Sequence, residues 1–141
     1  MKYDKEKVER FASEIYSSVN ELKDLSRLDE SEFVSDVHKL NSAKYLLIVG
    51  IEAAIDLCNH LISMNKFRQP EGYADTFRVM AEEGIIRSEF ADRLEMMARF
   101  RNRLVHIYWK IDDDFIYKIL DEDIDDLGKL VEKISDHLDS E

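Results

Sequence analysis

Residues Ala98 to Trp109, ARFRNRLVHIYW, bring three arginines, an asparagine, an imidazole and a phenol into one short run. His106 is the one side chain here whose ordinary pKa permits proton transfer near neutrality. Arg101 offers a planar fork of donors that matches phosphoryl oxygens, and Asn102 can orient either group. An imidazole that moves protons beside a guanidinium that stabilises developing charge suits phosphodiester cleavage without a metal. RNA carries its own nucleophile in the 2′-hydroxyl, so this chemistry calls for no cofactor.

The element that positions these groups is a helix starting near Ser88. Phe90, Leu94, Met97, Leu104 and Tyr108 form a heptad-like stripe on it, and the position that completes the stripe is Arg101. A permanent cation thus interrupts a packing seam. Burying an unpaired guanidinium costs several kcal/mol. Arg101 must therefore pair with a carboxylate such as Glu52 or Asp56, lie in a water-filled cleft, or meet an anionic ligand. Arg99, Asn102, Arg103, His106 and Lys110 fall on a neighbouring stripe. On a straight helix Arg101 and His106 stand about 140° apart. To serve one ligand they need the reach of arginine, a distortion at the helix end, or a second copy of the motif.

The rest of the chain reads as helix. One Pro and four Gly among 141 residues, with 36% charged and 45% hydrophobic residues, suit long amphipathic helices. Val8, Phe11, Ile15, Val19 and Leu22 mark a helix from about Asp4 to Leu25. After the break SRLDESEF, a second runs from about Asp36 to Asn65 and is apolar almost all round between Leu46 and Ile62, so neighbouring helices or a second subunit must cover it. FRQPEGY is the clearest loop. A short helix from about Asp75 to Glu83 follows, with Asp75 as N-cap and Gly84 as its stop. Apolar positions from Phe115 to Leu138 describe one or two helices more. The expected fold is all-α, a single domain over residues 1–141 built as an up-and-down bundle of four long helices and one short one.

The net charge of −11 excludes a general nucleic-acid coat. The distribution is uneven, because residues 87–110 hold six basic and three acidic side chains, a local charge of +3. Arg99 and Arg103 are expected to draw a phosphate backbone toward this island. A single cysteine, Cys58, can form no disulfide within the chain and fits a reducing cytoplasm. The longest purely apolar run, YLLIVGI, is far shorter than the about 20 residues of a membrane span.

RNRLVHIY has the form arginine, polar residue, three residues, histidine, one residue, tyrosine, and resembles the signature of the HepT-like branch of the HEPN superfamily. IEAAIDLCNHLI resembles that family's second long helix and EGYADTFRVMAEEGII its central segment, so the likeness covers about Val8 to Leu138. The resemblance implies a homodimer whose two motifs face each other in a composite active site. It implies a metal-independent endoribonuclease, the toxin of a toxin–antitoxin pair, with Arg101 and His106 catalytic and Asn102 supporting them. It further implies that an MntA-like nucleotidyltransferase antitoxin silences the toxin by attaching AMP to Tyr108.

Other readings compete with these. The chain could be a non-catalytic HEPN module that binds a nucleotidyltransferase and assists nucleotide or substrate binding, or a helical dimerisation protein whose motif is a salt-bridged seam. Glu52, Asp56 and His60 recur every four residues, as metal ligands on one face would. A polar strip that satisfies Arg101 accounts for the same residues, with Asp56 as its supporting carboxylate. Met96 and Met97 read as core. Phe100 and Trp109 read as packing against a neighbouring helix or a dimer mate, and His38 and His137 as surface residues.

Overall fold

The helix boundaries follow from capping side chains. In the computed structural model, which describes residues 1–140, Asp4 accepts the Lys7 backbone N–H at 3.2 Å and so starts α1 (Lys5–Ser26). Asp36 accepts the N–H groups of His38 and Lys39 at 3.0 and 3.2 Å and starts α3 (Val37–Met64). Between them, the segment expected to be only a break forms α2 (Glu30–Val34), which buries Phe33 completely. The motif helix is α5 (Ser88–His106), preceded by α4 (Tyr73–Glu82). A 3-10 turn (Tyr108–Lys110), α6 (Asp113–Glu122) and α7 (Asp125–Asp139) follow. The result is an all-α bundle with no strand among the described residues.

Besides α2, two details differ from expectation. The N-cap of α4 is Gly72 rather than Asp75. Asp75 lies in the first turn, where it accepts the Glu71 N–H at 2.9 Å and both terminal nitrogens of Arg68 at 2.7 and 3.0 Å. An anion there favours the helix start as a cap would, which is why the sequence signal misplaced the boundary. Met96 is 67% exposed although Met97 is buried. The two are adjacent, hence about 100° apart around the helix, and only one can face the core.

The core forms two clusters stacked along α1, α3 and α5. One joins Ile15, Ile51, Leu57, Phe77, Leu94 and Leu130; the other joins Leu22, Phe33, Leu47, Phe100, Leu104 and Ile116. α3 is long and apolar enough to cross a bilayer, with a mean hydropathy of 1.6 over its most apolar window. More than half of that window is buried against other helices, as in the central helix of a bundle. Gly50 permits their approach, since a Cβ there would lie 3.2 Å from Ser18 Cβ and 3.4 Å from Leu127 Cδ1. Ion pairs fix α5 on both sides. Arg78 of α4 holds Glu95 at 2.9 Å and also Asp92, while Arg93 holds the buried Asp126 of α7 at 3.0 Å.

His60 ties the chain start to α3, because its Nε2 accepts the Asp4 N–H at 2.9 Å. Burial and the nearby Lys7 ammonium hold this imidazole below its ordinary pKa of 6.5. The folded state thus favours neutral His60. Its stabilisation is complete above 6.5 and is lost as pH falls through the lower folded value. Amide protection at Asp4 and the first turn of α1 is expected to fall on acidification through that window, whereas His60→Gln shows no such step.

Candidate active site on the motif helix

Arg101 is mostly buried, its side chain 13% exposed, at the point where α5 crosses α3. Its Nε donates to Glu52 Oε1 at 3.1 Å, and Nη2 donates to the same oxygen. Nη1 donates to Asn102 Oδ1 at 3.0 Å. The guanidinium also stacks 4.9 Å from the ring centre of Tyr73, the first residue of α4. Of the two candidate carboxylates Glu52 is the partner. Asp56, one turn further along α3, is exposed and makes no hydrogen bond to Arg101. Partial burial and the carboxylates of Glu52 and Glu14 push its pKa up, while the Arg101 charge opposes this rise. Arg101 is fixed yet not spent, because Nη1 and Nη2 each carry a second N–H beyond these contacts.

His106 is the last residue of α5, exposed, with no side-chain partner among the described residues. The helix ends there because Ile107 leaves helical geometry at φ −133°, ψ 42°. That break turns the following residues back toward the start of α3. Tyr108 O–H donates to Asn41 Oδ1 at 3.0 Å, and the Lys44 ammonium sits 4.5 Å from the centre of its ring. Lys44 is itself buried and lies 3.9 Å from Asp113. Burial raises the Tyr108 pKa, so the phenol keeps its proton at neutral pH. No hydrogen bond joins Arg101 to His106 within the chain.

The other residues of the run divide. Phe100 is core and packs edge-on against Phe115 at 5.4 Å. Trp109 is 75% exposed, so no helix of its own chain covers it. Arg99 is exposed and 3.9 Å from Glu95, whereas Arg103 lies over the rings of Phe100 and Phe115 at 5.9 and 5.7 Å. Both cations are solvent-accessible and, one turn apart, share a face of α5. His60 is engaged with Asp4 and Glu52 with Arg101, so the four-residue ladder on α3 serves these contacts. The residues missed by the sequence are Tyr73, Asn41 and Lys44. Their contacts cross long sequence separations, and only the three-residue spacing of Asn41 and Lys44 could have hinted that they share a face.

The Ribonuclease HepT-like family matches residues 15–134, and the chain belongs to it. The mRNA nuclease HepT of Shewanella oneidensis is 26% identical over 106 residues, covering 75% of this chain and 80% of that protein. A relative from Archaeoglobus fulgidus is 30% identical over 95 residues, covering 67% of this chain and 71% of its own length. Among solved structures, the tri-AMPylated HEPN toxin of Shewanella oneidensis in complex with its MNT antitoxin superposes with a TM-score of 0.85. Its sequence identity is 22%, covering 92% of this chain and 97% of that one. The HEPN-type helical bundle is therefore the fold of this protein.

The carboxylate of this pair is already 42% exposed, so truncating the mostly buried Arg101 leaves Glu52 able to hydrate rather than stranded without a partner. Arg101→Met is expected to shift unfolding free energy by less than about 1 kcal/mol in urea titration. A larger loss would make the guanidinium a structural element first.

Proposed function

We propose that this protein is a metal-independent endoribonuclease, the toxin of a toxin–antitoxin pair, acting in the cytoplasm as one helical domain. The observation that carries the reading is a guanidinium held in place by Glu52 and Asn102, with an exposed, unpartnered imidazole on the same helix. In this mechanism His106 takes the proton of the RNA 2′-hydroxyl, whose oxygen attacks the adjacent phosphorus. Arg101 meets the charge that builds on the phosphoryl oxygens, and the P–O5′ bond breaks to leave a 2′,3′-cyclic phosphate. The departing 5′-oxygen takes a proton from water while the His106 imidazolium returns its own to solvent. Glu52 and Asn102 hold the fork of Arg101, Asp56 contributes only its charge one turn away, and Arg99 and Arg103 attract the flanking phosphates.

The active unit is a homodimer. Arg101 turns toward α3 and α4 while His106 points to solvent, so a second copy offers the direct way to bring both groups to one phosphate. Val105 and Trp109, 43% and 75% exposed on either side of His106, supply apolar surface for that contact. The family and the complex formed by its structural neighbour support an MntA-like nucleotidyltransferase antitoxin as partner. Attachment of AMP to Tyr108 removes the O–H that Asn41 accepts and places an anion near Lys44, beside the site.

The alternative, a non-catalytic module bound to a nucleotidyltransferase, is separated by activity. Purified protein is expected to cleave RNA in excess EDTA, and His106→Ala to abolish cleavage while retaining the helical circular-dichroism signal. Cleavage that survives this substitution removes His106 from the mechanism. Co-expression with the nucleotidyltransferase is expected to yield AMP on Tyr108 by peptide mass spectrometry and a protein that no longer cuts RNA; an unmodified Tyr108 in an inactive complex refutes the switch.

A further inference from the structure

The loop after α3 has no part in the chemistry above, yet it is held in place by a dense network. Arg68 binds Asp75 through two nitrogens and Glu82 at 3.0 and 3.1 Å, while the Glu71 N–H binds Asp75. Asn65 closes the helix end by donating to Leu61 O at 2.8 Å. This loop, the last turns of α3 and the start of α4 border an open recess of about 460 Å3. Asn59, Ser63, Gln69, Tyr73 and Thr76 line it, and no cationic side chain does. The Thr76 hydroxyl is shared between Asn59 Oδ1 and Gly72 O, each at 3.3 Å, and the Asn59 amide N–H groups have no partner among the described residues. Tyr73 is the wall between this recess and the motif, since its ring also carries the Arg101 guanidinium.

We propose that this recess binds one nucleobase of single-stranded RNA, next to the phosphate held by Arg101, and that it sets the base preference of cleavage. The inference rests on the ribonuclease reading of Arg101 and His106. Glu71 at the rim and the lack of a cation disfavour a phosphate inside, so the phosphate stays at Arg101 and the neutral base enters. Tyr73, 45% exposed, offers aromatic surface for stacking. The amides of Asn59 and Gln69 present paired donors and acceptors, the groups that read a base edge. The volume suits a nucleoside, being near the lower end of ligand pockets, which start at about 300 Å3. A loop already fixed by Arg68 loses little freedom when the base binds.

The test uses the full-length protein and a pool of short single-stranded RNAs randomised around the cut, read by sequencing of the ends, with kcat and KM measured on one preferred oligonucleotide. Wild type is expected to favour particular bases at one position beside the cut, and Tyr73→Phe to keep that preference. Tyr73→Ala is expected to flatten it and raise KM by about 5- to 150-fold, the span of stacking one base. Gln69 is exposed and outside the Arg101 contacts, so Gln69→Ala is expected to flatten the preference with kcat little changed. An unaltered preference in both Tyr73→Ala and Gln69→Ala, or a loss confined to kcat, overturns the base site while the ribonuclease reading stands. A wild type that cuts no RNA overturns both.

Discussion

A guanidinium in a packing seam constrains this molecule more than any other single feature. Arg101 stands where the heptad stripe of α5 calls for an apolar residue, and the fold accommodates it by bringing Glu52 from the most apolar helix to meet it. Arg78, Glu95, Arg93 and Asp126 then brace α5 against α4 and α7, so the helix cannot rotate the cation outward. Hydrophobic burial alone would place this helix equally well with leucine at the position. The ionic contacts therefore fix a chemical group, and the core on either side supplies the stability.

The helices were legible because their signals are local. The caps at Asp4 and Asp36 and the periodic apolar residues of α1 and α3 set those elements to within a residue or two, and Ser88 starts α5 as expected, whereas the stripes read through Tyr108 and Lys110 overrun its end at His106. Legibility failed where two features compete over a few residues. Asp75 carries the chemistry of a cap, yet it sits inside the helix because Arg68 neutralises it and the chain turns from extended to helical after Gly72, three residues earlier. The five-residue α2 has no full period to display, and what orders it is tertiary, the burial of Phe33 against Tyr117.

The site was half legible for the same reason. Motif spacing singles out Arg101, Asn102 and His106, and helical geometry states correctly that Arg101 departs from the polar edge. The chain offered two carboxylates for Arg101, separated by one turn of α3, and only the crossing of the helices selects Glu52. Tyr73, Asn41 and Lys44 lie 28 or more residues from their partners, and the shared face of Asn41 and Lys44 names no partner across that distance. Aromatic and amide side chains of this kind become readable once the tertiary neighbours are known, because their roles are set by what they face.

The break at Ile107 leaves the chain with a built-in optical label. Trp109 is the only tryptophan in the sequence and stands three-quarters exposed just past His106, beside the phenol of Tyr108. All indole emission from the protein thus originates at the one spot where RNA, a second copy of the chain or an adenylyl group would arrive. Quenching or a spectral shift then follows desolvation of that spot without any attached dye, and the buried helices contribute no competing signal.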